Sequence, residues 1–264
     1  LTEAGALLGM ASTTSLLRQG PNAGLALAEA NTTSLRHHSN SAMLAWSLIN
    51  EAECALLLGQ FERAHAAASE ARPILEHESG VTSRANADGL LAALAFCRGD
   101  LEAAAHHASV TLRGLQAGTP LAFHRIALCY GSATWLGIYR TTELPGYAGM
   151  LSPRKARRMM RLAYALLRRA ASRSPLLVPA YLRLRAKKAN RKGPSHRGTS
   201  LLRRALQKAQ STELQLECMV IHAKLATTAG ERAQGEKAMH EQQATFLRAT
   251  LGFELSPEVM SRLL

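Results

Sequence analysis

One pattern in this chain repeats at a spacing that suits pairs of packed helices. Gly59 is followed by Phe61, Ala64 and Ala68, and Gly99 by Leu101, Ala104 and Ala108 at the same offsets. The match continues upstream: Ala52 and Ala55 precede Gly59 as Ala92 and Ala95 precede Gly99. A weaker copy stands at Ala223, Ala226 and Gly230, with Arg232 in place of the large apolar residue and Gly235 and Met239 in place of the alanines. Glycine permits the left-handed conformation that ends a helix. Alanines let two helices approach closely, and the large apolar residue fills the wedge at the turn. Each hairpin keeps one apolar face uncovered, so neighbours must stack to bury it.

Composition agrees with an all-α chain. Of 264 residues, 47% are hydrophobic but only 5% aromatic, and Ala and Leu dominate; both favour helix, whereas strands favour Val, Ile and aromatics. Breakers and caps predict helices over 2–18, 22–36, 41–58, 61–77, 83–98, 101–117, 120–140, 153–173, 176–192, 199–211, 213–228, 231–251 and 256–263. Pro73 should kink or end the fourth. Ser152-Pro153 and Ser256-Pro257 are start signals. Pro145, Gly146 and Gly149 mark 141–152 as a loop or hinge. The expected organisation is therefore hairpin repeats over 1–140, that loop, and a basic set of hairpins over 153–264, continuous with the first array.

Gly59, Phe61, Ala64, Ala68 and Ala71 resemble the second-helix signature of the tetratricopeptide repeat. The resemblance covers roughly three hairpins and implies a tetratricopeptide-like α-α superhelix. Two departures stand out. The Gly59-to-Gly99 spacing is 40 residues, longer than that family's period, and Pro73 comes too early to serve as the repeat-closing proline. The longer period is similar to the C-terminal superhelix of bacterial signalling ATPases, maltose-type regulators and some protein kinases. It implies a protein-interaction or sensing scaffold, a non-catalytic region of a larger signalling protein.

Charge is segregated. From Leu144 to Thr212 there is no Asp or Glu, and 18 of the 32 Lys and Arg residues lie there. On the helix from Pro153, Ala156, Met159, Met160, Ala163, Leu166, Leu167 and Ala170 form a core face, and Arg154, Arg157, Arg158, Arg161 and Arg168 lie opposite. Downstream, Arg183, Lys187 and Arg191 recur every four residues. These eight are the candidate partner-binding residues. An acidic protein segment or neighbouring domain is the expected partner. A nucleic-acid-binding helical protein using the basic 153–208 span is the alternative. Solvated surface and intramolecular pairing are the competing uses of the same cations.

Other features exclude more than they assign. The four cysteines, Cys54, Cys97, Cys129 and Cys218, are dispersed and apolar in context, which predicts reduced core thiols and a cytoplasmic setting. His37-His38 and His106-His107 are adjacent, so neither pair can readily face one metal; no metal or cofactor is expected. Trp46, Tyr130, Trp135 and Tyr139 suit either packing or the lining of a concave groove. The longest uncharged apolar run, Ile126–Tyr139, has 14 residues, too short for a membrane span. No basic, apolar leader opens the chain, so no signal peptide is expected. Helix is predicted almost from Leu1, as in a piece of a longer protein. No nucleophile elbow, phosphate loop or paired-carboxylate pattern occurs, so this region is expected not to be an enzyme.

Overall fold

Two turns account for the repeated glycines. Gly59 and Gly99 take φ of 74° and 82°. Behind them Gln60 N–H donates to Ala55 O at 2.9 Å and Asp100 N–H to Ala95 O at 3.0 Å. Both helices thus stop by the same six-residue bond. Ala52, Ala55, Ala64, Ala68, Ala71, Ala104 and Ala108 are all fully buried, as a close helix crossing requires. Starts are equally local: Asn40, Asp100, Ser152 and Ser195 accept from the N–H of Met43, Ala103, Lys155 and Gly198.

The computed structural model describes residues 2–37, 40–118, 124–147, 149, 151–191, 193–229 and 234–252. Among these are eleven α-helices and no strand: α1 Thr2–Gln19, α2 Pro21–Arg36, α3 Ser41–Leu57, α4 Phe61–Cys97, α5 Leu101–Ala117, α6 Arg125–Thr142, α7 Pro153–Ala171, α8 Val178–Ala189, α9 His196–Ser211, α10 Gln215–Thr228 and α11 Gln234–Leu251. The third copy of the pattern at Gly230 and Arg232, and the start signal at Ser256-Pro257, lie outside the described residues.

The expected break between 77 and 83 is absent as an interruption of helical bonding, because Phe61–Cys97 is continuous and carries Pro73 inside it. Yet α4 doubles back. Arg98, just past its end, reaches Glu62 near its start at 3.1 Å, and Arg72 reaches Asp88 at 3.0 Å. A straight helix would hold those pairs about 54 and 24 Å apart. Its two arms therefore act as separate helices of successive hairpins. Six hairpins result among the described residues: α1/α2, α3 with the first arm of α4, the second arm with α5, then α6/α7, α8/α9 and α10/α11.

Ion pairs stitch one hairpin to the next. Arg63, which also holds Glu51 of its own hairpin, reaches Glu29 on α2, and Arg36 bonds Glu70 at 3.1 Å. Arg183 bonds Glu217 at 3.0 Å, and Arg203 bonds Glu236 at 2.6 Å. Deeper in, Arg125 on α6 reaches Glu53 on α3, which is 1% exposed. The fully buried Asp88 takes Arg72, Arg84 and His107. One core cluster joins Leu16, Leu48 and Leu90 to Leu182, Leu202 and Ile221, so 1–140 and 153–264 share an interior. A second runs from α4 to α8 around Trp135, Met160 and Leu167. Trp135, Tyr130 and Tyr139 are buried packing residues, and half-buried Trp46 packs on the first cluster.

The ends of the array meet. α1 packs against α10, Arg18 pairs with Glu213 at 3.0 Å, and Asn22 Nδ2 donates to Gly252 O at 3.2 Å. Between α10 and α11 the buried rings of His222 and His240 share an Nδ1–Nδ1 hydrogen bond of 2.9 Å.

Two outcomes follow. Burial holds His124 down at about 4 and also lowers His222 and His240, the last against the opposing pull of Glu236. Unfolded histidines take up protons near 6.5, so the unfolded chain binds more protons below that pH. Stability should fall as pH drops from about 6.5 toward 4, read as a declining urea midpoint. Separately, Glu213 ends α9 at φ 55° with Leu214 N–H donating to Ala209 O, the geometry glycine supplies elsewhere. Glu213→Gly should stabilise the chain by about 0.5–1 kcal/mol in urea unfolding, since the exposed pair with Arg18 contributes little.

Candidate functional site

α7 and α9 are built alike. Each buries one alanine- and leucine-rich face, Ala156, Met160, Ala163 and Leu167 on α7 and Leu201, Leu202, Ala205 and Ala209 on α9. Each turns cations outward. They form the outer walls of consecutive hairpins, with α8 between them. Two adjoining grooves of about 740 and 650 Å³ run over this region and share Arg168, Tyr181 and Arg185. The first adds Arg161, Lys188 and Arg197; the second adds Arg204 and Lys208. No acidic residue lines either groove.

The aromatic rings here are already engaged. The Arg185 guanidinium lies 5.5 Å from the Tyr181 ring centre and the Lys188 ammonium 5.4 Å from that of Tyr164. Tyr164 also donates to Leu184 O at 2.6 Å. Burial, then the nearby positive charges of Arg161, Arg157 and Arg185, holds the Lys188 amine below its usual range.

The eight predicted residues divide. Arg154, Arg157, Arg158, Arg161 and Arg168 are exposed on α7, and Arg161 and Arg168 line the grooves. Arg154, Arg157 and Arg158 stand outside them on the same helix. The ridge at Arg183, Lys187 and Arg191 is not part of this surface. Arg183 is 2% exposed and holds Glu217 with two bonds of 3.0 and 3.2 Å. Arg191 bonds Tyr139 Oη at 2.6 Å and Glu143 at 3.2 Å. Lys187 is half-buried beside Arg140 in another cavity, and burial with Lys224, Arg183 and Arg140 nearby pushes its amine well down. The physical reason is that α8 is packed on both sides, so a four-residue spacing marks one of its faces without saying which is outside. Arg185, Lys188, Arg197, Arg204 and Lys208 were missed, although all lie in the acid-free span. On α9 the opposition to Leu201, Leu202, Ala205 and Ala209 was the available signal.

Among the described residues no cluster of three metal-ligating side chains occurs, and His107 is committed to Asp88. All four cysteines are free thiols, with burial raising Cys129 to about 12 and Cys218 to about 11. No helix among the described residues is long and apolar enough to cross a membrane.

No protein-family model matches the chain, and no curated protein matches it. The fold is an all-helical array of stacked hairpins.

Groove and buried cations should separate in a stability measurement. Arg183→Met leaves Glu217 without its partner and should cost about 3–5 kcal/mol in urea unfolding. Arg168→Gln should change stability by less than about 0.5 kcal/mol.

Proposed function

We propose that this chain is a non-catalytic interaction module that takes an extended acidic segment of a partner protein into the grooves between α7 and α9. One observation carries the reading. Elsewhere outer helices are joined by internal Arg–Glu pairs, as α2 is to α4 and α9 to α11, whereas the α7–α9 grooves gather seven cations and no acid. A partner would supply the carboxylates that the array supplies itself at its other junctions. Five of the seven cations are arginines, whose planar guanidinium suits two-point recognition of a carboxylate. Two adjoining grooves suit a chain in extended conformation, with side chains falling alternately toward and away from the floor.

Single-stranded nucleic acid is the second reading, favoured by Arg154, Arg157 and Arg158, which carry the positive field beyond the grooves. Such binding draws on aromatic faces for stacking, and the rings of Tyr164 and Tyr181 are already covered by Lys188 and Arg185. The resemblance of Gly59, Phe61, Ala64, Ala68 and Ala71 to tetratricopeptide-like arrays supports placing the module in a larger signalling protein, where occupancy of the groove would report the partner.

Fluorescence anisotropy with a labelled glutamate-rich peptide and a labelled single-stranded oligonucleotide tests this. The peptide should bind, weaken steeply with salt, and lose at least about tenfold in affinity when Arg168, Arg185 and Arg204 are changed to Glu. Changing Arg154, Arg157 and Arg158 to Glu should matter far less. An oligonucleotide that binds more tightly than the peptide and depends on those three α7 arginines would overturn the assignment.

A further inference from the structure

α11 is held to the array at two points. Of its 18 residues only His240 and Leu251 are buried, whereas α9 buries five and α10 eight. The point at Leu251 joins the ends of the array. Leu251 O lies against Gly20, whose φ of 105° and missing Cβ admit the approach, and the next residue, Gly252, takes the Asn22 amide. The other point is a pair of imidazoles. His222 of α10 is 7% and His240 5% exposed, and their Nδ1 atoms are 2.9 Å apart. Only one hydrogen fits between two nitrogens at that distance, so one ring donates Nδ1–H and the other keeps its Nδ1 bare. Among the described residues two charges act on the pair. Glu236 of α11 lies 3.7 Å from His240 Nε2, and Arg203 of α9 holds that same carboxylate at 2.6 Å. α1 and α8 also pack on α10, and neither directs a described charge at either ring. Lys224, on α10 itself, lies instead with Lys187 and Arg183.

We propose that the His222–His240 pair is a proton-controlled switch that releases α11 and with it the joined ends of the array. Docked, the neutral pair has room for one further proton, on the outer nitrogen of the donating ring. The next would have to enter at the bare Nδ1, opposite the hydrogen already there, and would set two positive rings in contact. Glu236 can offset one such charge, but it is shared with Arg203. Undocked, both rings meet water and each takes a proton near pH 6.5. The released form therefore binds at least one proton more than the docked form, and acid favours it. Burial acts in the same direction, lowering both rings while α11 is docked. α10 is held independently, because Leu216, Met219, Ile221 and Leu225 belong to the shared core. Release is thus confined to α11 and its contacts with Gly20 and Asn22. None of these residues lines the α7–α9 grooves, so the switch stands or falls independently of the partner reading.

NMR of the ¹⁵N-labelled chain is the test. Near neutral pH, a scalar coupling between the two ring Nδ1 nuclei should report the shared hydrogen. As pH falls below about 6.5, opening of the α11 amides should rise by about tenfold per pH unit. It is read from hydrogen exchange corrected for the intrinsic effect of pH. The Asn22 side-chain amide should lose protection in step, while the amides of α3 and α10 stay far better protected. Changing His222 and His240 together to Leu removes the titrating groups and keeps an apolar contact, so α11 should then stay docked with no acid-dependent opening of its own. The wild-type coupling and exchange profile decide the matter even if the leucine pair does not fold. Absence of the Nδ1–Nδ1 coupling, α11 opening that ignores pH, opening of α10 in step with α11, or acid dependence that persists in the leucine pair would each refute the switch.

Discussion

Close approach of helices at alanine is the constraint on which the rest of this structure depends. Ala52 and Ala55 on α3 and Ala64 and Ala68 on α4 have no accessible surface, so the two backbones lie nearer than leucine would permit. The short span across each hairpin leaves little width for a greasy interior. It is compensated by length, because every hairpin must find its missing apolar partner in the next one. The interior is therefore shared around the array, and charges buried in it are matched, Glu53 with Arg125, Arg183 with Glu217 and Asp88 with Arg72 and Arg84. Such pairs add little net stability, but breaking one is costly.

Much of the scaffold could be read from the sequence because its signals are local. Gly59 and Gly99 announce their turns, Ser152-Pro153 the start of α7, and the recurrence of alanine and leucine its buried faces. What could not be read depends on distance in space. The two arms of α4 match the separate helices read over 61–77 and 83–98, but that Arg98 at the end of one would meet Glu62 at the start of the other was not evident. The ends of the array meet through Asn22 and Gly252, 230 residues apart. No periodicity reports such a contact.

The candidate site shows the same division. On α7 one face is core and the other solvent, so the opposition of Ala163 and Leu167 to Arg161 and Arg168 located the arginines correctly. On α8 both faces are packed. Arg183 lies between Leu182 and Leu184, all three buried, and nothing in that triplet distinguishes an inward guanidinium from an outward one. The structure exchanges Arg183, Lys187 and Arg191 for Arg185 and Lys188 as the groove's contribution from this helix. The acid-free span contains all seven groove cations, and burial separates them from those held inside.

The meeting of α1 with α10 has a mechanical consequence. An open spiral spring can absorb a local displacement by moving its free end, but a hoop cannot. If a guest wedged α7 from α9, the strain would travel around the circumference until some joint yielded. Among the described residues the seam is lightly fastened, by an exposed Arg18–Glu213 pair and one amide-to-carbonyl bond beside the α1–α10 packing. The seam would serve this hoop as a clasp, opening far from where the load is applied.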